Sequence, residues 1–600
     1  MSTHKDRLAA LRDQLARQRL DGFVIPLTDE HLSEYVGAYA QRLAWLTGFQ
    51  GSAGTAVVLP ADAAIFTDGR YTLQVREQVS GDDWQFVGVP QTSVACWLGE
   101  HVDGGARIGY DPWLHTRAWV DEASAALADR DAVLVPVDAN PVDAIWPDRP
   151  APSPALMTVH HDDVAGASSA AKRAAIGDWL VDKRADAVVL SALDSIAWLL
   201  NVRGGDVDHT PVALAYAIVH ADGATDLFVA PDKIDDVVRQ HLGNSVSLHD
   251  RTRFESTLRD FAGRRVVADP AGSVAAIVHA LEAGGATVIA QRDPVLLAKS
   301  IKNPAEIAGH RAASARDGAA LTRFLHWAAT TCPAGTETEL SAAAKLLEFR
   351  QASGLLRDTS FSTISATGAH GAIPHYHVTD ESDAAIEPGH LFLIDSGGQY
   401  ADGTTDVTRV LPIGPPTPEM RDRFTRVLKG HIAIATAIFP DGTMGGQIDA
   451  FARRPLWEAG LDYGHGTGHG IGAYLSVHEG PQRIANPAYP GGQALEPLRA
   501  GMLLSNEPGY YKAGEYGIRI ENLVLVEPRA IPGGDPDRVM LGFETLTFAP
   551  IDRDLIDPAL LTNDELSWLN AYHAKVTQII GPLVEDEVKA WLLERCAPVG

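Results

Sequence analysis

His465-Gly466-Thr467-Gly468-His469-Gly470-Ile471-Gly472 sets two histidines four residues apart among four glycines. A helix would carry both rings on one face, but glycine costs about 1 kcal/mol per helical position. The segment is therefore predicted to run as turn and strand, unlike a helical H-E-x-x-H zinc pair. Lacking Cβ atoms, its glycines let backbone approach a ligand closely. On its N-terminal side, Leu391-Phe392-Leu393-Ile394-Asp395-Ser396 is an apolar strand ending in a carboxylate, and Asp406 follows eleven residues later. Asp402-Gly403 between them reads as a hairpin turn, so the flanking strands can return side by side and bring Asp395 to Asp406, with the register open. On the C-terminal side, Glu507 follows Met502-Leu503-Leu504, and Glu521 precedes Leu523-Val524-Leu525-Val526. Alone, each motif has an ordinary explanation: a capping aspartate, a histidine in a glycine turn, a glutamate paired with Arg519.

Together they make an oxygen-rich set with one imidazole: Asp395, Asp406, His469, Glu507 and Glu521. Four carboxylates carry enough charge for two divalent cations, which at a spacing of roughly 3.5–4 Å share and acidify a water molecule. Such hard ligands suit Mn²⁺ first, with Zn²⁺ or Co²⁺ as alternatives.

Further out, a repeat marks the first half. Residues 7–27 read as a helical segment, the strand Gly22-Phe23-Val24-Ile25 and Pro26; residues 173–193 repeat it with Ala187-Val188-Val189-Leu190. Ala44-Trp45-Leu46 and Ala197-Trp198-Leu199 follow in turn, and then glycine-bearing turns at Gly48 and Gly204. Two related α/β domains are predicted, 1–152 and 153–300, joined by a stiff, exposed stretch with Pro150, Pro152 and Pro154. Asn303-Pro304-Ala305-Glu306 has the capping pattern of a helix start and opens a third region, 301–600. Leu566, Leu569, Val576, Ile579 and Leu583 predict one apolar helix face near its end, for its own domain or a partner.

A formal net charge of -27 argues against nucleic acid and anionic membranes as partners. Cys96, Cys332 and Cys596 have no paired spacing, which fits a reducing compartment. No apolar stretch reaches the ~18 residues of a membrane helix, and the charged first residues do not read as a secretory signal. A cytoplasmic protein is expected.

The order of the motifs resembles the metallopeptidases of the "pita-bread" fold: methionine aminopeptidase, prolidase and aminopeptidase P. Thr47–Thr55, Thr67–Tyr71, Leu193–Leu199, Gly371–Tyr376 and Val477–Pro481 extend the resemblance to the three-domain cytosolic type of aminopeptidase P over almost the whole chain. It implies an α/β (α+β) architecture, with two creatinase-like domains before a pita-bread catalytic domain. It implies a dinuclear centre in which Asp395 binds one metal, Asp406 and Glu521 bridge, and His469 and Glu507 bind the other. Cleavage before a penultimate proline follows from the resemblance alone. So do His375, His465 and His478 around the substrate, Arg70 on the downstream peptide, and a homodimer. Glu507 would relay a proton, His465 or His478 would stabilise the oxyanion, and Tyr511 and Arg519 would orient ligands and substrate. His377 reads as a bystander. Prolidase is the nearest alternative, and an inactive binding module of the same fold the more distant one; metal-free creatinase lacks the full carboxylate set.

Overall fold

The structure is a computed structural model that describes residues 3–488 and 492–600. It divides into two compact units, Met1–Ala298 and Lys299–Gly600.

The first unit realises the repeat as two six-stranded sheets. β1 (Gly22–Pro26), β2 (Thr55–Val58), β3 (Ala63–Thr67), β4 (Gln85–Gly88), β5 (Arg107–Tyr110) and β6 (Val133–Pro136) lie in the order β4-β3-β2-β1-β5-β6. β7 (Ala187–Leu190), β8 (Ala215–His220), β9 (Thr225–Val229), β10 (Val246–Asp250), β11 (Arg265–Ala268) and β12 (Thr287–Ala290) lie in the matching order β10-β9-β8-β7-β11-β12. In each, the first strand pairs antiparallel with the second and parallel with the fifth. Phe23 and Ile25 enter one core and Val24 the opposite one; Val188 and Leu190 divide in the same way from Ala187 and Val189. Burial on both faces explains why these strands read as unbroken apolar runs.

The turns after the two Ala-Trp-Leu helices differ. Gly48 takes a left-handed φ of 88°, which glycine adopts without a Cβ clash. In the second copy the left-handed residue is Asn201, at φ 50°. Gly204 is needed instead for space, because a Cβ there would lie 2.7 Å from the Val212 carbonyl oxygen. The proline stretch is exposed at Pro147, Pro150, Pro152 and Pro154. It is also tied down: buried Trp146 stacks on Trp45 at 5.2 Å, and Arg149 donates to Asp143 at 2.6 Å.

The second unit opens with the helix Pro304–Thr331. Asn303 Oδ1 accepts from the Glu306 amide at 3.1 Å, and Glu306 returns the bond to the Asn303 amide at 2.9 Å. β13 (Ile364–Thr367), β14 (Leu391–Ser396) and β15 (Val407–Pro412) form an antiparallel sheet of three strands. β16 (Gly468–Gly470), β17 (Glu479–Ile484), β18 (Leu503–Asn506), β19 (Asn522–Pro528) and β20 (Met540–Thr545) join Phe439–Pro440 in a six-stranded antiparallel sheet. Its order from that edge is β20-β19-β18-β16-β17. The late helix is Asn563–Ile580, and its buried face is Leu569, Tyr572, His573, Val576 and Ile580. Ile580 thus replaces the expected Ile579, while Leu583 lies beyond the helix and is exposed. The helix packs within its own unit: Tyr572 Oη donates to the Ala549 carbonyl at 2.9 Å and receives Arg409 at 2.8 Å.

Candidate metal centre

β14 and β15 pair so that Asp395 faces Thr408, which leaves Asp406 just ahead of β15 beside the end of β14. The ten residues between the two carboxylates bulge out as a small hairpin, Gly398–Tyr400 against Gly403–Thr404. Its turn residues are Ala401 and Asp402, one earlier than predicted, because Gly403 already pairs with Tyr400. Asp402 is engaged by Arg316 at 3.0 and 3.1 Å.

In the second sheet, Asn506 faces Asn522 across β18 and β19. Glu507, one step past one strand, and Glu521, one step before the other, therefore emerge at the same sheet end. β16, on the other side of β18 from β19, delivers His469 beside Glu507. Its glycines serve strand packing: a Cβ on Gly468 would sit 2.0 Å from the Ser505 carbonyl oxygen, and one on Gly470 2.4 Å from that of Glu479. The expected close approach is thus to neighbouring backbone.

His469 Nδ1 lies 2.9 Å from the Gly470 carbonyl oxygen. A carbonyl only accepts, so the proton sits on Nδ1 and Nε2 presents its lone pair. Nε2 faces Asp406 Oδ2 and Glu507 Oε1, each at 3.5 Å. Asp406, His469 and Glu521 each offer a ligand atom, all within 4.8 Å of one another. A lone pair aimed at carboxylate oxygens fits a cation between them. The electrostatics agree. Burial, then Asp395, pushes the Asp406 carboxyl well above its usual range. Burial, then Asp406, Asp395 and Glu507, does the same to Glu521, and burial is the main cause of the rise at Glu507. Asp395 Oδ1 is buried without a hydrogen-bond partner. Acidic oxygens gathered out of water at this density fit divalent cations.

A polarised chain supports the centre. Arg519 donates from Nε to Asp395 Oδ2 at 3.0 Å and from Nη1 to Tyr511 Oη at 2.6 Å. Tyr511 Oη lies 2.8 Å from His465 Nε2, whose Nδ1 is 2.8 Å from the Gly466 carbonyl oxygen. Arg519 thus pairs with Asp395 rather than answering Glu507 or Glu521 directly. His478 stands edge-on to His469, with ring centroids 4.3 Å apart, and half-buried His375 lies 6.3 Å from His478. All the predicted residues of the second unit therefore converge except the bystander His377, which is exposed. Arg70 belongs to the first unit, where its guanidinium is held by Asp68 at 2.8 Å and Glu34 at 3.4 Å.

Two supporting residues escaped the sequence reading. Thr408 Oγ1 donates to Glu521 Oε2 at 2.7 Å; its place beside Asp406 in the same motif was the available signal. His431, within the helix Pro418–Ala435, sets Nδ1 3.1 Å from the Asn506 carbonyl and 3.2 Å from that of Ile520. It thereby ties together the backbone just before both glutamates. Burial drives its imidazole down to about 3, so it stays neutral, and no local pattern marks it.

Models of the creatinase/prolidase N-terminal domain match residues 7–145 and 148–306, metallopeptidase family M24 matches 308–528, and the M24 C-terminal region matches 539–599. A probable Xaa-Pro aminopeptidase P of Laccaria bicolor is 40% identical over 99% of this chain and 93% of its own length. This chain belongs to the aminopeptidase P family of M24 metallopeptidases. Among solved structures, an X-prolyl aminopeptidase of Caenorhabditis elegans, described as a cytosolic enzyme with a di-nuclear active site, superposes with a TM-score of 0.95. It is 34% identical and covers 100% of both chains. The dipeptidase PepE of Mycobacterium ulcerans matches 65% of this chain and 97% of its own, at 25% identity and a TM-score of 0.50. That dipeptidase thus leaves about a third of this chain unmatched. The pita-bread fold with two creatinase-like domains ahead of it is the predicted one.

Proposed function

We propose that this chain is a metal-dependent Xaa-Pro aminopeptidase, which releases the N-terminal residue from peptides with proline in second place. The observation that carries this reading is similarity to a probable Xaa-Pro aminopeptidase P across 99% of the chain, both N-terminal domains included. The buried carboxylate cluster supports two divalent ions, Mn²⁺ first and Zn²⁺ or Co²⁺ otherwise. Asp395 would hold one, Asp406 and Glu521 both, and His469 with Glu507 the other. When bound, the ions supply Lewis acidity and lower the pKa of a shared water.

The protein's own groups do the rest. Glu507 takes a proton on a carboxyl oxygen and returns it to the leaving nitrogen. His465 has both ring nitrogens engaged, by the Gly466 carbonyl and by Tyr511. It therefore fixes Tyr511, and the hydrogen bond to the developing oxyanion falls to His478. His375, facing His478, lines the proline side. Domains at 1–152, 153–300 and 301–600, a cytosolic location and a homodimer complete the reading; solution mass checks the last.

The test is hydrolysis of Arg-Pro-Pro and Gly-Pro after chelation and again after Mn²⁺ is restored. Metal-dependent release of arginine from the tripeptide is expected. Activity on Gly-Pro alone would make the protein a dipeptidase, and inertness towards both with metal bound would make it a binding module.

A further inference from the structure

The loop that carries His375 has an anchor outside the metal centre. Glu339, the first residue of the helix Glu339–Gln351, is 0% exposed. Its carboxylate gathers donors from both ends of the segment 367–376. Oε1 accepts from the Thr367 amide at 2.7 Å and lies 2.9 Å from His370 Nδ1. Oε2 accepts from Tyr376 Oη at 3.0 Å and from the Ala384 amide at 3.3 Å. His370 and Tyr376 stack on each other, centroids 4.5 Å apart. The backbone of Glu339 adds a bond from Ser365 Oγ to its carbonyl at 2.7 Å. A carboxylate with no solvent and four donors is fully used as an acceptor, so the loop has little freedom to shift. His375 is the residue immediately before Tyr376, and its ring faces His478.

We infer that Glu339, acting through Tyr376 and His370, is the positioning residue that holds His375 at the substrate. The inference rests on the reading of His375 as substrate-facing. Glutamine at 339 keeps the shape but replaces one acceptor oxygen with an amide that donates, and that amide must confront the donors of Thr367, His370, Tyr376 or Ala384. At least one of them loses its partner, and the loop relaxes.

The test is a double-mutant cycle on the metal-loaded, full-length enzyme: wild type, Glu339→Gln, His375→Ala and the double variant. kcat and KM on Arg-Pro-Pro are measured together with bound metal per chain. Glu339→Gln is expected to lower kcat by about tenfold or more, as an ångström-scale misplacement does, with metal content unchanged. In the His375→Ala background the same change is expected to cost less than about twofold, because a residue acting through His375 has nothing left to position. Losses that multiply in the double variant, a wild-type kcat in Glu339→Gln, or loss of metal from it would each overturn the inference alone. A wild-type kcat in His375→Ala would overturn the substrate-facing reading of His375, and the inference with it. If Glu339→Gln is not recovered folded, Tyr376→Phe keeps the carboxylate, deletes one donor and carries the same cycle. Additive losses there overturn the inference equally.

Discussion

In the first unit, the buried Asp206 carboxylate receives Lys233 Nζ on one oxygen and the Leu214 amide on the other, at 2.7 Å. Elsewhere in the same unit, burial works to raise Glu30, but His31 and Arg251 beside it hold its carboxyl down at about 2. In the second unit, Asp406 and Glu521 are as buried and Glu507 is partly so, and burial together with their mutual repulsion pushes them upward. The first arrangement contains its own countercharge and supports structure. The second is electrostatically incomplete, and completing it takes added cations. A buried carboxylate thus points to chemistry when its nearest neighbours are other carboxylates.

The most severe way to break this contrast is to remove a residue proposed to hold both ions. Asp406→Ala or Glu521→Ala is expected to lower kcat by about a thousandfold or more, since the metal pair supplies the Lewis acid and the acidified water. The metal-free protein should fold as well as before, because a repelling charge has gone. Metal content, kinetics and denaturant melts check this, and near-normal turnover would end the dinuclear reading.

The same operation on a completed pair should act on stability alone. Lys233→Met strands Asp206, and about 3–5 kcal/mol should be lost, read as a lower unfolding midpoint. kcat per folded molecule should not change.

The two arrangements should also respond to acid with opposite signs. Glu30 is depressed in the folded state, so its contribution is present above the ordinary glutamate pKa and is lost as pH falls from about 4.5 towards 2, by an amount on the order of 2–3 kcal/mol. Asp406 and Glu521 are raised, so in metal-free protein their contribution is complete at acid pH and is lost as pH rises through their folded values. Buried histidines such as His115 and His431 are held low and weaken both units on acidification with or without metal, so the comparison is with metal-loaded protein. Relative to it, hydrogen exchange resolved by unit should show the metal-free second unit gaining protection from pH 7 to 5 and the first showing no difference. Bound metal should abolish that gain by keeping the carboxylates ionised.

The smallest effect is expected at Tyr511→Phe. Removing the hydroxyl between Arg519 and His465 should cost about tenfold in kcat, as outer-shell partners do, with stability changed by about 1 kcal/mol.

Much of this was legible in one dimension. The helix start at Asn303 was readable because capping is settled within four residues, and the repeat because each strand is buried on both faces. The five candidate ligands were readable from local patterns: the four carboxylates lie at or beside the ends of apolar strands, and His469 lies in a glycine-rich run. Their support was harder to read. Arg519 lies two residues from Glu521 yet serves Asp395, and His431 reaches the backbone at 506 and 520 from the middle of a helix. Glu339 looks like an ordinary first-turn glutamate until the segment 367–384 folds over it. The late helix shows the same limit: its apolar spacing foretold an amphipathic helix, but Tyr572 and His573 joined the buried face because Arg409 and the backbone near 550 were there to receive them.

The sequence by itself determined the family, the motifs that supply Asp395, Asp406, His469, Glu507 and Glu521 to one cluster, and that two related domains precede them. Hydrophobic period, caps and motif spacing are local quantities, written along the chain. Only the tertiary structure decided the pairing of Asp395 with Thr408, the hairpin that bulges between the two aspartates, and the partners of Arg519, His431 and Glu339. Those depend on which distant backbone groups are left wanting a hydrogen bond once the sheets have packed, and no run of neighbouring residues encodes that.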